Sequence, residues 1–139
     1  MSPESPEPTA PAGRWQQLER IFVWLVALHS LAVGAMLLFV PAWSVGFGGW
    51  PGATPLFFPR QAGAFHFVAV LGYLLEYFRG RTVTLLVGTK TIAFVFLLTM
   101  WAMGEPAWSV PFSGLADGAM GLAAVTLHRA AERERGSAA

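Results

Sequence analysis

Apolar residues along this chain gather into four stretches, near positions 20–40, 61–78, 82–103 and 111–128. Each is close to the roughly 20 residues a helix needs to cross about 30 Å of hydrocarbon. Between them the sequence turns to Gly, Pro, charged and aromatic residues. The pattern predicts an all-α fold, an integral membrane four-helix bundle over 20–129, flanked by tails over 1–19 and 130–139. The first tail, MSPESPEPTAPAGRWQQLE, is too rich in Pro and Glu to bury an apolar face and reads as disordered. It lacks the basic start of a signal peptide, and the first span is longer than a signal core of about 7 to 15 residues, so that span is expected to be retained.

Finer periodicity assigns faces within the spans. In the second, Ala62, His66, Ala69, Tyr73, Glu76 and Gly80 recur at spacings of four and three, which holds them on one helical face turned into the bundle. In the fourth, Gly114, Asp117, Gly118, Gly121 and Ala124 share a side, and Gly114 with Gly118 forms a GxxxG pair that permits close backbone approach. That face is expected to pack on a neighbour, within one chain or across a dimer. Smaller stripes are Ala27, Ser30 and Gly34 in the first span and Thr84, Gly88 and Thr91 in the third.

Every span also carries a titratable side chain: His29 in the first, His66 and Glu76 in the second, Lys90 in the third, Asp117 in the fourth. A charge near the bilayer centre costs roughly 2.5 to 3.5 kcal/mol on insertion scales, so these groups must be paired, neutral or hydrated. Depth follows from a rise of about 1.5 Å per residue. It puts Arg60, His66 and Asp117 together in the outer half, which predicts an Asp117–Arg60 pair with His66 as hydrogen-bond partner. Glu76 lies nearer the inner side, within the snorkelling reach of Lys90, and the two form the expected inner pair. His29 falls near the midplane without an obvious partner.

Charge orients the spans. Arg14 and Arg20 precede the first, Arg79 and Arg81 separate the second and third, and Arg129, Arg133 and Arg135 follow the fourth. The other two loops hold only Arg60, so both termini are expected on the cytoplasmic side. Hydrophobic residues make up 55% of the chain and charged ones 12%, far from the soluble pattern, while the net charge of +1 gives no basis for nucleic-acid binding. The absence of cysteine removes disulfides, thiolate nucleophiles, iron–sulfur ligation and Cys-type zinc sites.

An internal echo crosses the two halves: PAWSVGFGG begins at Pro41 and PAWSVPFSG at Pro106. Both follow an odd-numbered span, which predicts two tandem helix hairpins. The Pro41–Pro59 loop, with Trp43, Phe47, Trp50, Phe57 and Phe58, joins Trp101 and Trp108 in an outer aromatic belt, or forms a lid over an outer pocket.

Several chemistries fail on this map. Two-histidine haem ligation needs both ligands at one depth, and His29 is placed deeper than His66. A di-iron carboxylate centre needs repeated Glu and Glu-x-x-His, and only Glu76 is available. There is no serine elbow, phosphate loop or dinucleotide fingerprint. No metal and no resident cofactor is predicted.

The residues Arg60-Gln-Ala-Gly63 opening the second span and Ser113-Gly-Leu-Ala-Asp117-Gly118 in the fourth form a pattern that resembles the small bacterial DoxX-like membrane proteins. The resemblance covers roughly residues 18 to 130 and carries over Arg60 and Asp117 alone. It implies a four-helix bundle in the bacterial inner membrane, in some members attached to quinone-linked respiratory or sulfur-oxidising complexes. The long aromatic loop and Lys90 depart from the pattern.

The preferred functional expectation is a non-catalytic membrane protein that binds a lipophilic small molecule, lipid or quinone near its outer half, or serves as an accessory subunit of a membrane complex. A proton-coupled transporter is the alternative, with Glu76, Lys90 and His29 as relay, His66 and Asp117 as outer end, and a homodimer formed through Gly114–Gly121. A third reading, an intramembrane lipid isomerase or hydrolase, would rest on His66 and Asp117 as acid and base.

Overall fold

The computed structural model describes residues 13–137, and these are all-helical, without a strand. The elements are α1 (Arg14–Phe39), α2 (Pro41–Phe47), α3 (Phe57–Gly80), α4 (Thr84–Ala102) and α5 (Ser109–Ser137). The four long helices cover the four apolar stretches; α2 is a short helix inside the segment expected as loop. Three of the long helices, α1, α4 and α5, are long and apolar enough to cross a membrane. The exception, α3, has the length but also carries Arg60, His66, Glu76 and Arg79.

Helix boundaries follow from local chemistry. α1 begins at Arg14, inside the stretch read as tail, because the Glu134 carboxylate accepts the backbone N–H groups of Trp15 and Gln16 at 3.1 and 3.2 Å. That satisfies two of the free donors at a helix start from the other end of the chain. The rest of the first tail, residues 1–12, lies outside the described residues. At the other terminus residues 130–137, also read as tail, continue α5. Pro41 cannot extend α1 and instead opens α2 at its first turn. Gly49, at φ +100°, then turns the chain away; a side chain there would meet the Trp108 ring.

Helices pack as consecutive pairs. α1 lies along α3 and α4 along α5, α1 and α5 join the two pairs, and α3 touches α4 least of the neighbours. Glycines set the closest approaches. A Cβ on Gly63 would stand 2.7 Å from the Gly34 carbonyl oxygen, and one on Gly118 2.6 Å from Cδ2 of Phe94. The Gly114–Gly121 face is therefore filled by α4 of the same chain.

The apolar core sits toward the end that carries both termini and comprises Val23, Val26, Tyr73, Tyr77, Val83, Leu86 and Ala124. Large apolar side chains otherwise point outward on all four long helices, among them Leu25, Phe65, Val68, Ile92, Phe96 and Leu122. At the far end the two echo motifs meet. Trp108 Nε1 donates to the Phe47 carbonyl at 2.8 Å, and its ring packs edge-on against Phe47, which stacks on Trp43.

Candidate functional site

Each of the four long helices carries a titratable side chain that either belongs to one buried ion pair or lies within electrostatic range of it. Lys90 of α4 donates through Nζ to Asp117 Oδ1 of α5 at 2.5 Å, with side chains only 5% and 15% exposed. The glycine stripe makes this possible: without a side chain at Gly121, α5 comes close enough that a Cβ there would sit 3.5 Å from the Lys90 Cβ. His29 of α1 and His66 of α3 both lie within electrostatic range of Lys90 and Asp117, and His66 is also within range of His29. His66 is held by the tight α1–α3 crossing, where a Cβ on Gly34 would stand 2.8 Å from its own.

Tyr73 adds a buried phenol to this centre. Its hydroxyl interacts with Ser30 and Thr89 and senses Asp117. Ser30 Oγ is fully buried and makes no hydrogen bond of good geometry, and neither imidazole of His29 and His66 makes one among the described residues. Beside the ion pair, Ser30 Oγ is therefore the buried polar atom left without a well-formed hydrogen bond, which buried polar groups rarely tolerate without a partner, and the two imidazoles add unengaged donors and acceptors. His29 is on the exposed side of α1, and Thr89 is exposed on α4.

The expected pairs are not the ones formed. Asp117 binds Lys90, not Arg60; Arg60 is exposed and has no carboxylate within ion-pair distance among the described residues. The physical reason is lateral placement: α3 and α5 have no close backbone approach and Arg60 stands exposed, whereas Asp117 lies on the α5 face packed against α4. Arg60 and Asp117, the two positions carried by the family resemblance, are thus separate in the fold. Glu76 does not reach Lys90 either. Its carboxylate accepts the Leu85 N–H at 2.8 Å and the Thr82 hydroxyl at 3.0 Å. The short turn after Gly80 lays Glu76 beside the start of α4, where free amides and the helix dipole favour a negative charge.

A second polar cluster, at the end bearing the termini, was not anticipated. Glu19, 1% exposed, accepts from Tyr77 Oη at 3.4 Å and from Arg135 at 3.3 Å, and lies 2.5 Å from His128 Nδ1. The Nε2 atom of His128 faces Glu132 at 3.5 Å. Glu19 shares the inward face of α1 with Val23, Val26 and Ser30, so extending that stripe one turn backwards would have found it.

No group of three or more His, Asp and Glu is placed to hold a metal ion among the described residues. Both described cavities lie at the end that carries the termini, away from the aromatic cluster where an outer pocket was expected. The chain matches no family model, no curated protein and no solved structure.

Proposed function

We propose that this chain is a non-catalytic integral membrane protein whose polar centre binds the head of a lipophilic small molecule such as a quinone. The membrane reading is supported by the three spanning-length apolar helices and by the outward large apolar side chains on all four long helices. Soluble monomers rarely expose contiguous apolar surface beyond a few hundred Å². With the arginine distribution the termini face the cytoplasm, and the resemblance to DoxX-like proteins fits a bacterial inner membrane, with an accessory role in a larger complex.

The observation that supports the reading is the buried Lys90–Asp117 pair, with His29 and His66 within electrostatic range of it and the buried Tyr73 phenol sensing Asp117. Imidazole groups with unused capacity suit carbonyl or hydroxyl oxygens on an apolar ring. Access would run along the α3–α4 seam, the least packed of the contacts between the four long helices, where exposed Thr89 adjoins Tyr73.

The transporter alternative drew its dimer from the Gly114–Gly121 face, and α4 already fills that face. The hydrolase alternative needs Asp117 as a free base, and Asp117 is bound to Lys90.

The test is mass spectrometry of lipophiles that copurify with the wild type and with His66→Phe and Tyr73→Phe. A quinone or comparable ring compound retained by the wild type and lost from both variants supports the proposal. Retention unchanged in both variants, or none in the wild type, removes it.

A further inference from the structure

We infer that a groove between the start of α4 and the later part of α5 binds a glycerophospholipid with an ethanolamine headgroup, its phosphate on Arg129 and its ammonium on Glu132. This site is separate from the polar centre and does not depend on what that centre binds; it rests only on the chain lying in a membrane.

The groove has a volume of about 390 Å³. Its walls change character along the helix axes. Val87, Gly88 and Val125 form the deeper part, while Arg129 and Glu132 stand at the rim, toward the helix ends that carry Arg81 and Arg133. An apolar trough that ends in charged groups at the headgroup level matches the polarity profile of a phospholipid, and the volume suits the glycerol region with the upper part of one acyl chain. The floor is open: a Cβ on Gly88 would meet nothing within 4 Å.

Charge selects the headgroup. Arg129 is exposed and has no carboxylate within ion-pair distance among the described residues, so its guanidinium is free for a phosphate. Glu132 is three positions on, which places the two side chains side by side, about 5 to 6 Å apart at Cβ. His128 Nε2 sits 3.5 Å from Glu132 and keeps that carboxylate beside the groove. A phosphate and a primary ammonium joined by two carbons present opposite charges at a comparable spacing. A choline headgroup has the same charges but no N–H to donate to Glu132, and a glycerol headgroup offers no cation.

The experiment is native mass spectrometry of the full chain, delipidated in detergent and titrated with dioleoyl phosphatidylethanolamine, phosphatidylcholine or phosphatidylglycerol. The ethanolamine lipid should bind about ten-fold more tightly than the other two, the difference made by charge-assisted hydrogen bonding. Glu132→Gln should erase the preference over choline, and Arg129→Ala should weaken all three lipids. Gly88→Leu fills the trough from a position with room for a side chain, so it should abolish retention while helical circular dichroism and melting stay at wild-type values. Equal binding of the three lipids, or wild-type retention in Gly88→Leu, would overturn the inference.

Discussion

Replacing Lys90 by Met is the most direct probe of the polar centre. The substitution keeps most of the stem volume against α5 but deletes the ammonium that lies 2.5 Å from Asp117. It leaves a carboxylate only 15% exposed without its charge partner. Removing one member of a buried pair costs about 3 to 5 kcal/mol, whereas replacing both by apolar groups of similar size is often close to neutral. The residual exposure of Asp117 points to the lower end, about 3 kcal/mol for Lys90→Met, with a similar loss for Asp117→Leu. The double variant should lose less than about 1 kcal/mol. The sign is therefore sharp: two substitutions together must cost less than either alone. Unfolding of the four proteins in bicelles, followed by circular dichroism against denaturant, gives the cycle directly. Additive losses, with the double variant at about 6 kcal/mol, would refute the claim that these two side chains are held by each other.

The remaining predictions concern helix contacts and caps. Gly118→Ala should destabilise by about 1 to 3 kcal/mol because the new methyl meets the Phe94 ring. Gly88→Ala, at an open position, should be neutral or stabilise by up to about 1 kcal/mol through helix propensity; the same melts compare the two. Glu19→Gln replaces an acceptor shared by Tyr77, His128 and Arg135 and should cost about 2 to 3 kcal/mol, a drop in melting temperature that Glu132→Gln does not reproduce. Glu76→Ala should cost about 1 kcal/mol and speed hydrogen exchange at the Leu85 amide, which loses its cap.

Hydropathy and period located the four long helices and most of the polar centre, because both signals act along one helix at a time. Ser30, His66, Tyr73, Lys90 and Asp117 all belong to stripes or isolated polar positions that the sequence displays. What the sequence withheld was lateral adjacency. Arg60 and Asp117 share a depth but sit on α3 and α5, whose backbones make no close approach, and Lys90 reached Asp117 because the glycine face of α5 packs on α4. Glu76 illustrates a competing local demand: a carboxylate beside a tight turn meets unsatisfied amides before it meets a distant ammonium. Glu19 was obscured by composition, since a window weighted by Pro and Glu hides a helix whose first turn is capped by a residue 119 positions away.

That long-range clasp sets an order of events. The partners of Glu19 in α5 lie 109 and 116 residues downstream, whereas Tyr77 comes 58 residues on, so a nascent chain lacks the His128 and Arg135 contacts until α5 has been made. Until then only the Tyr77 hydroxyl answers this carboxylate, and the start of α1 also waits for its Glu134 cap. The clasp between α1 and α5 therefore closes only after both hairpins of long helices have been made.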